Sequence, residues 1–464
     1  MDAGPDGSTR NPGTPVKSSD FLRAVGVLAG SAVIAHGITA ACLPLLSRLY
    51  TPAEFSVLAL FAGVASVFSA VVALRFDIAI PIPPQDSVAI NLLALSLGIA
   101  AALSVLLALV IWLLPDRVVA LSGQPMLADA LWLLPVAAFS ASASSALQSW
   151  FIRRKQFPAL AQSRLLQSTA SSGSQIGLGI LHFGPVGLLF GYAVNTVTAC
   201  IALGIRLLQR ERHLFPQVDA GRMAAAFHEY SRFPRFSTVE ALFNNGSVHL
   251  PIILIALLAA GPEAGYIALA MTLLQAPMSL IGQAIGQVYL SRAAEAHRAG
   301  DLAAVTAETI SYLVRTGVGP LLAAGLLAPF VFEPIFGVGW HRAGILISWM
   351  TPWFVLQLLA VPIAMSLHVT GRQRLALLLQ FFGLLVRVSA ILVASQWFSS
   401  RVAETYALSG AVFYLAYLVV VLSVTGVGPR SFRRSFMAGW PHLLGWLVLA
   451  AVLAAAASRI TGSR

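Results

Sequence analysis

Charge is scarce in this 464-residue chain: Asp, Glu, Lys and Arg together make up 10% of it. A soluble domain carries roughly 25%. Lysine is nearly missing, with Lys17 and Lys155 the two present, and no GxxxxGK[ST] occurs, which excludes a Walker-type nucleotide site. HExxH and GxSxG are missing too, and no cluster with metal-ligand spacing appears. The expectation is a protein without cofactor or metal that is not an enzyme. The two cysteines, Cys42 and Cys200, sit in apolar segments, form no CxxC, and read as helix-packing residues. No short apolar stretch with a small-residue cleavage site precedes the first long hydrophobic run, so no signal peptide is expected.

What the chain has instead is apolar length. Hydrophobic residues make up 58% and the mean hydropathy is +0.82. Runs near 20 residues recur, and a bilayer accepts such a run only as a helix. Spans are read at 21–46, 55–74, 88–114, 130–152, 165–184, 186–207, 236–260, 266–290, 308–332, 345–368, 375–397, 405–426 and 440–457. The fold expected is an all-α integral membrane protein with 12–13 transmembrane helices. The last span, preceded by Pro441 just inside its start, is the weakest.

The formal charge of +11 would point to nucleic acid in a soluble protein. Here its placement points elsewhere. With the N-terminus inside, 21 basic residues fall on the cytoplasmic side and 6 on the other, and Arg315 and Arg387 within spans complete the 29. That asymmetry predicts a multi-pass membrane protein with a cytoplasmic N-terminus and no nucleic-acid partner.

A weak repeat runs through the chain. PAEFSVLAL (52–60) echoes PEAGYIAL (262–269), aligning Glu54 with Glu263 across one deleted residue. Ala146, Arg154, Gln162 and Leu166 match Ala364, Arg372, Gln380 and Leu384 at a constant offset of 218. Both echoes pair the first six spans with the next six, facing the same way. This predicts two six-helix lobes related by a pseudo-two-fold axis along the membrane normal, a transporter arrangement. The expected organisation is a disordered cytoplasmic tail (1–20), a first lobe (21–207), a basic cytoplasmic linker (208–235), a second lobe (236–426), and a basic loop with an extra C-terminal span (427–464).

Ionisable and amide side chains at membrane depth are costly and mark pathways, pairs or cavities. The candidates are His36 in the first span, Arg75 and Asp77 at the end of the second, Glu240, Asn244 and Asn245 in the seventh, Gln275 in the eighth, Arg315 in the ninth and Arg387 in the eleventh. Each also has a bland reading: arginines near an interface snorkel, and amides or His36 tie helices together.

Several stretches resemble the oligosaccharide flippases of the bacterial polysaccharide biosynthesis family: PLLSRLYTPAEFSVLALF (44–61), LRFDIAIPIP (74–83), YSRFPRFSTVEALFNN (230–245), GPEAGYIALA (261–270), PMSLIGQAIGQVYLSRAAE (277–295) and FGVGWHRAG (336–344). That family shares a superfamily with the MATE drug exporters and the lipid II flippase. The resemblance implies two lobes around a central cavity lined by spans 1, 2, 7 and 8. It also implies alternating access and export of undecaprenyl-diphosphate-linked oligosaccharide, with membrane lipid, glycan polymerase and chain-length proteins as partners. One departure stands out: Ser56 occupies a position where the family pattern usually has glycine, and a local packing adjustment is expected there. On this reading Arg75, Arg315 and Arg387 meet the diphosphate, whose oxygens suit a guanidinium fork. Asn244, Asn245 and Gln275 meet sugar hydroxyls. Glu240, His36 and Asp77 couple or gate. The rival readings are a cation-coupled small-molecule antiporter, which needs an acidic pocket, and a membrane glycan polymerase.

Overall fold

The computed structural model describes residues 18–72, 74–259 and 261–461, and all regular structure among them is helical. Most of the tail expected over 1–20 lies outside the described residues. The first half runs α1 (Ser18–Leu49), α2 (Pro52–Val72), α3 (Asp86–Leu113), a short α4 (Pro115–Ser122), α5 (Leu133–Arg153), α6 (Phe157–Ile180) and α7 (Pro185–Arg210). The linker carries α8 (Ala220–Glu229). The second half runs α9 (Thr238–Leu258), α10 (Glu263–Pro277), α11 (Gln283–Ala299), α12 (Leu302–Leu313), α13 (Gly319–Phe336), α14 (His341–Ala360), α15 (Ser366–Val369), α16 (Gln373–Trp397) and α17 (Val402–Thr425). An amphipathic α18 (Pro429–Met437) and α19 (Trp440–Thr461) close the chain.

Helices stand at every place where the sequence predicts a span. Among the described residues nine are long and apolar enough to cross a membrane, or up to ten if the bent pair α18 and α19 counts as one. The expectation of 12–13 is met in helix positions but not in that apolar count. The reason lies in composition. α5 is rich in serine and α6 in serine and glutamine, while α11 carries Arg292, Glu295, His297 and Arg298. Ser140, Ser142 and Ser144 are buried, and their hydroxyls donate to the carbonyls of Val136, Ser69 and Ala141. Serines turned toward neighbouring helices, as in α5, need no apolar surface against lipid, whereas the charged residues at the end of α11 are exposed.

Neighbour relations follow the repeat. In the first half α6 packs on α7, α1 on α6, α5 on α7, α3 on α5, and α2 on both α5 and α7. In the second half α16 packs on α17, α9 on α16, α14 on α17, α13 on α14, and α10 on both α14 and α17. The halves meet where α2 contacts α9 and α10, and where α1 contacts α10 and α13.

Prolines interrupt several of these helices, and each leaves the carbonyl four residues earlier without its helical donor. Neighbouring side chains fill two of these gaps. Pro329 frees the Gly325 carbonyl, which accepts from the Ser348 hydroxyl at 2.6 Å. Pro251 frees the Ser247 carbonyl, which accepts from Arg387 at 3.2 Å. Three single turns widen to π-helix, at Phe233–Ser237, Met278–Gly282 and Val314–Val318. Such turns often mark functional positions, and these lie in the seventh, eighth and ninth spans.

The linker is tied to the first half. Asn91 on α3, fully buried, donates through Nδ2 to the Gln217 and Ser87 carbonyls at 2.9 and 2.7 Å and accepts the Asp219 N–H at 3.0 Å. Truncating it leaves buried backbone groups unpaired, at about 1–3 kcal/mol each. Asn91→Ala is expected to release residues 212–229 to limited proteolysis while the helices keep their circular dichroism. An unchanged cleavage pattern would contradict this anchoring role.

Candidate functional site

The two halves are bound together at the end of the bundle that carries few arginines. The hairpin between α1 and α2 has the sequence TPAEFS. Glu54 accepts from the Thr51 N–H at 2.6 Å, and Thr51 Oγ1 accepts the Glu54 N–H at 3.4 Å, a reciprocal cap that starts α2. From this hairpin the contacts cross to the second half. Ser56 Oγ, buried, accepts the Gly265 N–H at 2.7 Å. Trp340, buried, donates from Nε1 to the Ser47 carbonyl at 2.7 Å. Its ring meets Phe55 edge-on at 4.9 Å and Tyr266 at 5.9 Å. Arg48 donates to the Pro334 and Ile335 carbonyls at 3.0 and 3.4 Å, capping the end of α13.

Gly265 is required by distance alone. A Cβ there would sit 2.1 Å from the Pro52 carbonyl oxygen and 2.8 Å from the Ser56 nitrogen. In the repeat alignment Ser56 corresponds to Gly265, so two equivalent positions touch each other, as positions beside a two-fold axis do. The departure at Ser56 is therefore more than a packing adjustment, since its hydroxyl makes a bond between the halves. Behind this seal Arg342 bridges Glu404 at 2.6 Å and Glu263 at 3.2 Å, joining α10, α14 and α17. Burial raises the carboxyl of Glu263, at the head of α10, and Arg342 offsets this only in part.

The opposite, arginine-rich end is held differently. Arg153 lies against Asp86 at 2.8 Å and donates to the Pro83 and Pro84 carbonyls. Arg154 bridges Asp86 and Glu211 at 2.8 and 2.7 Å. This network fixes the loop from Leu74 to Gln85 against α5. Sequence reasoning missed it, counting these arginines only as interfacial charge. The available signal was the RRK run at the same end as an acid opening α3.

That loop carries two of the predicted residues. Arg75 takes a left-handed turn (φ 58°), is half-buried, and its Nε is buried without a partner among the described residues. Asp77 is buried. Its Oδ2 accepts from Ser145 at 2.7 Å, and its Oδ1 has no described partner. The turn Phe76–Ala79 touches the π turn Phe233–Ser237, which carries the exposed Arg235 and follows the exposed Arg232. The structure thus brings Arg75 and Asp77 beside the entry of the seventh span.

The remaining predicted residues are dispersed. Arg315 is exposed on the π turn of the ninth span and pairs with no described acid. Gln275 is exposed near the end of α10. Asn245 is half-buried and donates to the Ala241 carbonyl of its own helix at 3.0 Å. His36 is exposed, with Nδ1 2.8 Å from the Ala32 carbonyl. The side chains of Glu240 and Asn244 lie outside the described residues. Arg387 departs from the expected open vestibule: it is 5% exposed, between helices of the second half. Its guanidinium lies in reach of three aromatic rings.

Among the clefts formed by the described residues are two apolar ones. One of about 550 Å³ lies between α3 and α5, lined by Ser104, Trp112, Trp132 and Phe139 among others. The other, about 860 Å³, lies between α13, α14 and α17 and is flanked by Phe432 and Phe436 of α18. Neither holds the predicted polar residues, so neither is a place for a charged headgroup.

No curated protein matches the chain in sequence. Solved structures do match in fold. The lipid II flippase MurJ in its inward closed conformation matches with a TM-score of 0.68 at 12% identity, covering 94% of this chain and 98% of that one. An inward-facing multidrug resistance MATE transporter of the MOP superfamily matches at 0.57, with 15% identity over 86% of this chain and 94% of that one. An outward-facing MATE transporter matches at 0.53, with 14% identity over 93% and 99%. At these identities the likeness establishes the fold, that of membrane transporters and flippases. The family described as polysaccharide biosynthesis protein matches residues 45–344, and the chain belongs to it.

Proposed function

We propose that the protein is a flippase that carries an undecaprenyl-diphosphate-linked oligosaccharide from the cytoplasmic to the periplasmic leaflet of the bacterial inner membrane, for surface polysaccharide assembly. The observation that carries this reading is the seal. Two halves with parallel neighbour relations are hydrogen-bonded to each other at the arginine-poor end, through equivalent positions of a repeat. A joint of that kind closes one side of a central path and is released when the halves rock.

The cargo's chemistry fits the other end. A lipid-linked glycan keeps its tail in the bilayer, but its diphosphate and hydroxyls need replacements for lost water. Arg75, Arg232 and Arg235 gather where such a headgroup enters, and Arg315 stands exposed two spans further on, with no described acid beside it. This reading assigns the amides Asn244, Asn245 and Gln275 of the seventh and eighth spans to the sugar, and coupling to Glu240 and His36. Asp77 is packed against Ser145 rather than lining an acidic pocket, and that disfavours a cationic drug as cargo. The N-terminus is cytoplasmic in this arrangement, and downstream polymerase and chain-length proteins take up the product.

The test is a leaflet-accessibility assay in proteoliposomes with a fluorescent undecaprenyl-diphosphate oligosaccharide. Wild-type protein is expected to expose the label at the far leaflet. Arg75→Gln combined with Arg315→Gln is expected to slow transfer about tenfold, an effect of about 1.4 kcal/mol. Folded protein with no transfer above empty liposomes would remove the function.

A further inference from the structure

We propose that Arg387 is a positioning residue for α9: it supplies the hydrogen bond that Pro251 withholds from the Ser247 carbonyl and so sets the helix at its proline pivot. The sequence spacing creates the vacancy. Pro251 stands four residues after Ser247 and has no N–H, so it cannot supply the donor that an α-helix gives the carbonyl four residues earlier. Nη1 of Arg387, reaching from α16, donates to it at 3.2 Å.

Besides this bond the guanidinium makes a hydrogen bond with the Tyr414 side chain. It makes no ion pair with a described acid. Its charge is met by ring faces, with the guanidinium carbon 4.7 Å from the Phe413 centroid, 5.2 Å from Trp353 and 5.6 Å from Tyr414. The cage depends on two glycines. A Cβ at Gly383, one turn before Arg387, would lie 2.5 Å from the Phe413 ring, and one at Gly410 would lie 2.4 Å from the Trp353 ring. The site is therefore built from α14, α16 and α17 to present one donor to α9.

The consequence reaches the seam. α9 is the helix of the second half that packs on α2 of the first. Its setting at residue 247 determines how residues 238–246 meet α2 when the halves move. Because the acceptor is a neutral carbonyl rather than a carboxylate, the bond is one that α9 can release and regain. The effect on transport rests on the flippase reading, whereas the brace itself does not.

The test is a double-mutant cycle between Arg387→Met and Pro251→Ala. Arg387→Met removes the donor and keeps an apolar stem. Pro251→Ala returns a backbone N–H to position 251, so the Ser247 carbonyl regains its helical partner. Thermal unfolding in detergent and the distance between spin labels at positions 242 and 257, both exposed on α9, are read for all four proteins. Arg387→Met alone is expected to lower the unfolding midpoint and broaden the label distances. In the Pro251→Ala background the same substitution is expected to leave both nearly unchanged, with distances near the ~22 Å of a straight helix. Equal damage in both backgrounds would overturn the brace. In proteoliposomes Arg387→Met is expected to slow transfer about tenfold, and Arg387→Lys, which keeps a donor, to recover part of the rate. If wild-type protein moves no lipid-linked glycan, the unfolding and distance cycle still decides the brace, so the two readings fail separately.

Discussion

Gly265→Ala is expected to break the seal and stop transport. The added methyl would meet the Pro52 carbonyl oxygen at 2.1 Å, and backbone cannot rotate aside as a side chain does. Overpacking of this kind costs about 1–3 kcal/mol. Set against a closed state, that shifts the population by about 5- to 150-fold. The fold need not suffer, because α10 keeps its other neighbours when the seal opens. The readout is a cysteine at Ser47, a position buried in the sealed state, in a background where Cys42 and Cys200 are replaced by alanine. A membrane-impermeant maleimide should label it slowly in the parent and about tenfold faster with Gly265→Ala, while flipping drops toward background. Equal labelling and transport would show that the contact between α2 and α10 closes nothing.

Arg153→Ala should cripple the opposite end. The side chain is 11% exposed and joins the Asp86 carboxylate to the Pro83 and Pro84 carbonyls. Asp86 keeps Arg154 as an ion-pair partner, but the loop loses the clamp that holds Arg75 and Asp77 in place. Removing charge-assisted bonds of this sort costs about 1.5–3 kcal/mol each. A tenfold or greater loss of flipping is expected, with a smaller drop in unfolding temperature, roughly a few degrees. Arg153→Lys is not expected to rescue, because an ammonium cannot span three acceptors as a guanidinium fork does. Full rescue by lysine would show that charge alone matters at this position.

The helical layout was legible because hydropathy is a one-dimensional property. A run of apolar residues announces a membrane helix whatever its neighbours are. The faint echo of PAEFSVLAL in PEAGYIAL was legible for the same reason, and it placed Glu54 and Glu263 at the heads of α2 and α10. Side-chain destinations were not readable. Arg387 sits in LLVRVS, and an arginine in that setting faces lipid, water or rings with no change in local sequence. Only the fold brings Trp353, Phe413 and the Ser247 carbonyl to it. Pro251, four residues past Ser247, was the available hint that a carbonyl in the seventh span needed a donor from elsewhere. The three π turns left no mark either, since they arise from insertions in the hydrogen-bond ladder and not from a residue type. Ser56 was visible as a departure from the family pattern, but its bond to Gly265 depends on two helix starts meeting across the molecule. The serines of α5 lowered apolar character without revealing that many of them are buried against neighbouring helices.

The central claim is that the two ends of this bundle open in turn and that cargo passes between leaflets because they do. A reversible lock tests it most directly. Cysteines at Arg48 and Ile335, which already touch across the seal, are bridged by a reducible bifunctional maleimide in the cysteine-free protein, and transfer of labelled undecaprenyl-diphosphate oligosaccharide is followed before bridging, after it, and after reduction. The account predicts transfer in the unbridged protein, loss to the protein-free background on bridging, and recovery on reduction. Undiminished transfer with the bridge in place would contradict it.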